Sequence, residues 1–117
     1  MKTAKPQTKR PPRNPAADAG LSIVIPVLNE AYGLPALHER IVAVARQIHA
    51  SRGLAIETIY VDDGSTDATF RVASGLPADG LDVQVVALSR NFGKEAALLA
   101  GLEHARFDAV MFMDGDG

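Results

Sequence analysis

Apolar residues along this chain gather in short runs that alternate with helically spaced stripes. Leu21–Leu28 (LSIVIPVL) is almost continuously apolar and rich in β-branched residues, which predicts a buried strand. Leu34, Leu37, Ile41, Val44, Ala45 and Ile48 then recur at helical spacing, with Pro35 near the start and Gly53 just past the end. The alternation continues. Ile56–Val61 predicts a strand, Asp67–Ser74 a short helix, Val83–Leu88 a strand, Glu95–Ala105 an Ala- and Leu-rich helix, and Ala109–Met113 a last strand. Strands apolar on both faces, each separated from the next by one helix, predict a mostly parallel sheet with helices on both faces and right-handed crossovers.

The pattern starts only at Leu21. Residues 1–19 mix Pro6, Pro11, Pro12 and Pro15 with Lys2, Lys5, Lys9, Arg10 and Arg13, and contain no large apolar residue after Met1. Such a segment cannot bury enough surface to offset its ordering entropy, so a disordered, basic, proline-rich tail is expected. Five dispersed charges also make only a thin patch for anionic lipid headgroups. Residues 20–117 then form one domain.

Charge and composition narrow the function classes. From Leu21 onward there are seven basic and thirteen acidic residues, a net charge of −6. An acidic body is a poor nucleic-acid binder, because phosphate contacts dominate that affinity. A body of this sign that must hold a diphosphate calls for a divalent cation between the two. The chain has no cysteine, which excludes disulfides, thiolate metal sites and cysteine nucleophiles. No run approaches the ~20 apolar residues of a membrane span, and the first twenty residues lack the apolar stretch of a secretory signal. The expected location of these residues is the cytoplasm.

In open parallel sheets ligands bind beyond the carboxyl ends of the strands, and all four predicted strand ends here carry polar residues. After the first come Pro26, Leu28, Asn29 and Glu30; Pro26 removes a ladder donor, so the strand is finishing there. Glu30 reads as a nucleotide contact or as an acid at a helix start. After the second strand come Asp62 and Asp63, which point to opposite sides of an extended chain. One can face a crevice and accept hydrogen bonds from a ribose or a base, while Ser65 or Thr66 caps the next helix. Arg90-Asn91-Phe92-Gly93-Lys94 joins the third strand to its helix. There Gly93 lets backbone amides approach an anion, and Lys94 places a cation against the helix dipole, as a phosphate site would want; the alternative reading is a solvated surface pair. Asp114-Gly115-Asp116 follows the last strand. Two carboxylates at that spacing can share a Mg²⁺ or Mn²⁺ ion, and taken alone they read equally as a polar turn. His38, His49 and His104 have no partner at metal-ligand spacing and read as surface residues, whereas Tyr60 and Phe112 read as core.

These ordered segments, Ile25-Pro26-Val27-Leu28-Asn29-Glu30, Val61-Asp62-Asp63-Gly64-Ser65-Thr66-Asp67, Ser89-Arg90-Asn91-Phe92-Gly93-Lys94-Glu95 and Met113-Asp114-Gly115-Asp116, resemble the successive motifs of family 2 glycosyltransferases with the GT-A fold. The third segment and its helix are most similar to the polyprenyl-phosphate branch, the dolichol-phosphate mannosyltransferases and undecaprenyl-phosphate glycosyltransferases. The resemblance spans residues 21 to 117. It implies a Rossmann-like GT-A half-domain in which Pro26, Leu28, Glu30, Val61 and Asp63 line the nucleoside pocket of a UDP- or GDP-sugar. Asp114 and Asp116 would be the DxD pair that holds Mg²⁺ or Mn²⁺ and carries the catalytic role, with Gly115 beside them and Lys94 reaching phosphate.

The implied reaction is inverting sugar transfer to a polyprenyl phosphate, with longer relatives at the cytoplasmic face of a membrane. Since residue 117 directly follows the last motif, the expectation is a truncated domain that does not turn over alone; the alternative is a non-catalytic nucleotide-binding fragment. Two other classes fit less well. A phosphoacceptor signalling domain needs acids at the end of its first strand, and a nucleotidyltransferase needs a glycine-rich loop there; neither is present.

Overall fold

The computed structural model describes residues 4–8 and 19–115. In chain order the elements are strands and helices β1 (Ala4–Thr8), β2 (Gly20–Val27), α1 (Leu34–Arg52), β3 (Ala55–Asp62), α2 (Thr69–Ser74), β4 (Asp82–Leu88), α3 (Lys94–His104) and β5 (Ala109–Phe112). They build one five-stranded sheet in the order β1-β4-β3-β2-β5. β4, β3, β2 and β5 are mutually parallel, with Ile25 opposite Tyr60 and Val24 opposite Phe112.

Both faces of β2, β3 and β4 are buried, which is why each reads as a continuous apolar run. Ile23, Ile25, Val27, Tyr60, Val83 and Val85 face one way and form a core with Leu34, Leu37, Ile41 and Ala45 of α1. Val24, Ile59, Val61, Val86 and Leu88 face the other way and meet Ala97 and Ala100 of α3. The result is three layers, with α1 and α2 on one side of the sheet and α3 on the other, the arrangement expected of a Rossmann-like GT-A half-domain.

Residues 4–8 depart from the expected disordered tail: they form an edge strand antiparallel to β4, with Pro6 opposite Val86. The edge of β4 presents unpaired amides and carbonyls, and an added strand satisfies them; a proline is tolerable on an outermost strand because no further partner needs its missing N–H. The rest of the expected tail, residues 1–3 and 9–18, lies outside the described residues.

Pro26 is accommodated differently. It lies within β2, which has neighbours on both sides. Val24 O accepts from Met113 N on the β5 side and Val27 O from Asp63 N on the β3 side, so the alternation turns Pro26 toward β5, beyond the last paired residue Phe112. The missing N–H therefore falls where pairing has already stopped.

Two further expectations are corrected. His38 is fully buried rather than on the surface, and its ring joins Tyr60 Oη (2.7 Å) to the Pro77 carbonyl (2.6 Å). Phe112 is half exposed rather than core, because it lies on β5, the outermost parallel strand.

Candidate active site

Strand order reverses around β2: the chain first proceeds outward through β3 and β4, then crosses back to place β5 on the other side of β2. The crevice above such a switch point is where open α/β sheets hold ligands. A cavity of about 330 Å³ lies there. Pro26, Leu28 and Glu30 line it from the end of β2 and just beyond, Asp63 from just past β3, Asn91 from the β4–α3 loop, Lys94 from the start of α3, and Asp114 and Gly115 from the segment after β5. Four segments distant in sequence thus meet in one place.

Each loop is held by its neighbours. Asn29 adopts a left-handed backbone (φ 53°), and its Oδ1 accepts from Thr66 N (2.9 Å) and Asp67 N (3.3 Å). Its own N–H donates to Ser65 Oγ (2.8 Å), and Glu30 N donates to Thr69 Oγ1 (2.8 Å). The first and second loops are therefore stitched together around one asparagine side chain. Asp67 continues the seam, accepting from Thr69 and Ala31 N; the Thr69 hydroxyl bond is the main cause that holds its carboxyl below the usual range. Ser65 and Thr66, expected to cap α2, face Asn29 instead, and the helix begins two residues past Asp67, whose carboxylate takes the Thr69 amide.

The paired aspartates divide their work as extended-chain geometry requires. Asp62 Oδ1 accepts from Ser65 N (3.1 Å) and turns the loop after β3. Asp63 accepts from Phe92 N (2.9 Å) and Gly93 N (3.1 Å), fixing the β4–α3 loop across the end of the sheet. Gly64 makes that junction possible. A Cβ there would lie 2.2 Å from the Arg90 carbonyl carbon and 2.3 Å from Asn91 N, and its φ of 74° is one that side-chain-bearing residues rarely adopt. Arg90 lies 5.2 Å from the Phe92 ring centre, a cation–π contact that stiffens the same loop.

Lys94 is the first residue of α3, and its Nζ donates to Asp114 Oδ1 across the cavity. Asp114 is placed by Gly115, whose absent side chain lets its backbone lie against Pro26: a Cβ would sit 2.4 Å from the Pro26 carbonyl oxygen. Among the described residues lining the cavity, Lys94 is the sole basic one, against Glu30, Asp63 and Asp114.

Seven of the nine residues singled out from the sequence thus meet at the cavity. Val61, expected to line it, is instead fully buried beneath, against Val24 and α3. Asp116 lies outside the described residues. Asn91 also lines the cavity, and Asn29 anchors it; neither was given a role from sequence, although Asn is among the few residues that tolerate a left-handed turn and bond their own neighbours' amides. Among the described residues no group of three or more His, Cys, Asp or Glu is arranged to hold a metal, and no helix is long and apolar enough to cross a membrane.

A family model described as glycosyl transferase family 2 matches residues 22–117. An undecaprenyl-phosphate 4-deoxy-4-formamido-L-arabinose transferase of Pseudomonas paraeruginosa is 42% identical over 97 residues, which is 82% of this chain and 27% of that protein. The prophage bactoprenol glucosyl transferase homolog of Escherichia coli is 35% identical over 96 residues, 82% of this chain and 30% of its own length. The SfII prophage-derived bactoprenol glucosyl transferase of Shigella flexneri is 36% identical over the same length, with the same coverage. The chain therefore spans less than a third of each of these relatives.

Proposed function

This chain belongs to glycosyl transferase family 2, and from that premise we propose that its cavity binds the nucleotide-sugar donor of a polyprenyl-phosphate glycosyltransferase. The donor would be a UDP- or GDP-sugar, the acceptor a lipid phosphate at a membrane surface, and transfer would invert the anomeric centre. The observation that carries this reading is the convergence of four strand-end loops on one cavity, which brings Lys94, Asp114 and the start of α3 together with Pro26, Leu28, Glu30 and Asp63. The first group suits a diphosphate; the second suits a nucleoside.

A divalent ion fits the donor set. Asp114 offers a hard carboxylate oxygen that is exposed at the cavity and already carries a cation, the Lys94 ammonium. Mg²⁺ and Mn²⁺ are commonly bound by one or two carboxylates together with substrate phosphates and water. Asp114, with Asp116, would hold it. Such an ion, held there, would supply neutralisation of the charge on the departing diphosphate.

The chain's own residues do the rest by position. The amides at the start of α3 face the anion with partial positive charge, and the stitched loops fix the nucleoside end. A lipid phosphate is ionised at neutral pH, so alignment matters more than a strong base. The names of the similar proteins, which specify undecaprenyl phosphate and bactoprenol, support a polyprenyl acceptor.

Calorimetry of the purified protein with UDP and GDP, with and without Mn²⁺, tests the donor site. Binding of one nucleotide that strengthens with Mn²⁺ and weakens at least tenfold in Asp114→Ala is expected. Failure of both nucleotides to bind at any Mn²⁺ concentration, by a folded protein, overturns the reading.

A further inference from the structure

We propose that Lys94 is a resident counter-cation for Asp114, which disfavours divalent ions at the donor site until a diphosphate draws the ammonium away. This rests on the donor-site reading above and adds a regulation of cation entry to it.

Three observations on the pair lead there. First, both ends are anchored through backbone, so little but the lysine side chain has to move. Asp63 accepts from Gly93 N, immediately before Lys94, and Gly115, immediately after Asp114, lies against the Pro26 carbonyl. Second, the two side chains are 59% and 60% exposed. An exposed ion pair is weak, so it biases the site without locking it. Third, Lys94 stands in the first turn of α3, where a positive charge opposes the helix dipole. That same turn is where amides attract an anion, so a swing of the four-carbon stem keeps the ammonium beside an incoming phosphate.

The charge inventory then couples the two ligands. Asp63, though acidic, has its carboxylate met by the Phe92 and Gly93 amides. Asp114 is met by Lys94. A divalent ion binding alone must displace that ammonium from the carboxylate oxygen, and a diphosphate binding alone must share it with Asp114. When both arrive, each takes one partner of the pair: the ion takes Asp114 and the phosphate takes Lys94. Each ligand therefore strengthens the other, and by linkage the effect is reciprocal. An active site built in this way admits its metal with the donor rather than ahead of it.

The test is Mn²⁺ binding to the purified protein, followed by calorimetry and by the electron paramagnetic resonance of free Mn²⁺. Wild type, Lys94→Gln and Lys94→Arg are compared, each checked for an unchanged circular dichroism spectrum. Without nucleotide, Lys94→Gln is expected to bind Mn²⁺ about fivefold more tightly than wild type, the size of a lost exposed ion-pair competitor, while Lys94→Arg stays near wild type. With UDP or GDP present, and Mn²⁺ held by free nucleotide subtracted, the gain in Mn²⁺ affinity is expected to be smaller in Lys94→Gln than in wild type. Equal Mn²⁺ affinity of nucleotide-free wild type and Lys94→Gln overturns this proposal and leaves the donor site standing. Nucleotide binding with no Mn²⁺ uptake in any variant overturns both the proposal and the metal part of the donor reading.

Discussion

At the scale of single residues, the buried histidine shows how polarity can mislead. His38 lies four residues after Leu34 and three before Ile41, on the buried stripe of α1, yet its chemistry suggests a surface. It is stable inside because both ring nitrogens are used. The Pro77 carbonyl only accepts, so Nε2 carries the proton toward it, and in the neutral ring Nδ1 accepts from the Tyr60 hydroxyl. Burial pushes the Tyr60 phenol above its ordinary value, so the hydroxyl keeps its proton. Tyr60→Phe removes one donor and leaves a buried nitrogen without its partner, a loss of about 1–3 kcal/mol. Urea unfolding of the two proteins would measure it, and a loss within error of zero would mean that the ring finds another partner. Asp63 carries a related lesson. Its place at the cavity was legible as an acid at a strand end, but its use by the Phe92 and Gly93 amides was not, since those lie 29 and 30 residues away.

At the scale of elements, the strands and helices from β2 onward were legible to within about two residues, because nearly every one buries a periodic apolar face, whereas β1, with no such face, was not. Helix α2 starts at Thr69 rather than Asp67, and the reason is local: the Asp67 carboxylate binds the Thr69 amide. The joints between loops were not legible, because they depend on which backbone lies against which. Gly64 is the clearest case. Its φ is 74° and a side chain there would overlap the Arg90–Asn91 backbone, whereas Gly53, with φ 70°, has nothing within 4 Å of an added Cβ. The two glycines separate strain from crowding. Gly53→Ala is expected to cost about 1 kcal/mol of stability, for the left-handed backbone alone, with nucleotide affinity unchanged. Gly64→Ala is expected to cost more and to weaken nucleotide binding at least tenfold, because the β4–α3 loop that carries Lys94 must move. Thermal unfolding and nucleotide titration of both variants check this; equal effects on binding would show that the Gly64 contact does not position the loop.

At the scale of the whole molecule, the sheet has two differently built ends. The cavity and its stitched loops occupy the carboxyl end of the strands. Toward the other end, Glu57 is fully buried and accepts from Ser22 Oγ (2.6 Å), Gln84 Nε2 (3.1 Å) and Arg106 N (2.7 Å). Arg106 also pairs with Asp82 (2.7 Å), and Gln84 reaches the His104 carbonyl at the end of α3. This network ties β2, β3 and β4 to the turn that leads into β5, and a sequence could hardly announce it, since a glutamate within a strand reads as a solvent-facing position. Its energetic weight differs from that of the cavity loops. Truncating a buried acceptor leaves several donors unsatisfied in a low-dielectric interior, so Glu57→Ala is expected to lower stability by about 3 kcal/mol or more. The loops at the far edge keep their own bonds to Asn29, Asp63 and Asp67. Nucleotide affinity, measured by calorimetry at a temperature where the variant is still folded, should therefore stay within about twofold of wild type. A matching loss of affinity would mean that the two ends of the sheet act as one unit, with the donor site dependent on the turn that launches β5 toward Asp114.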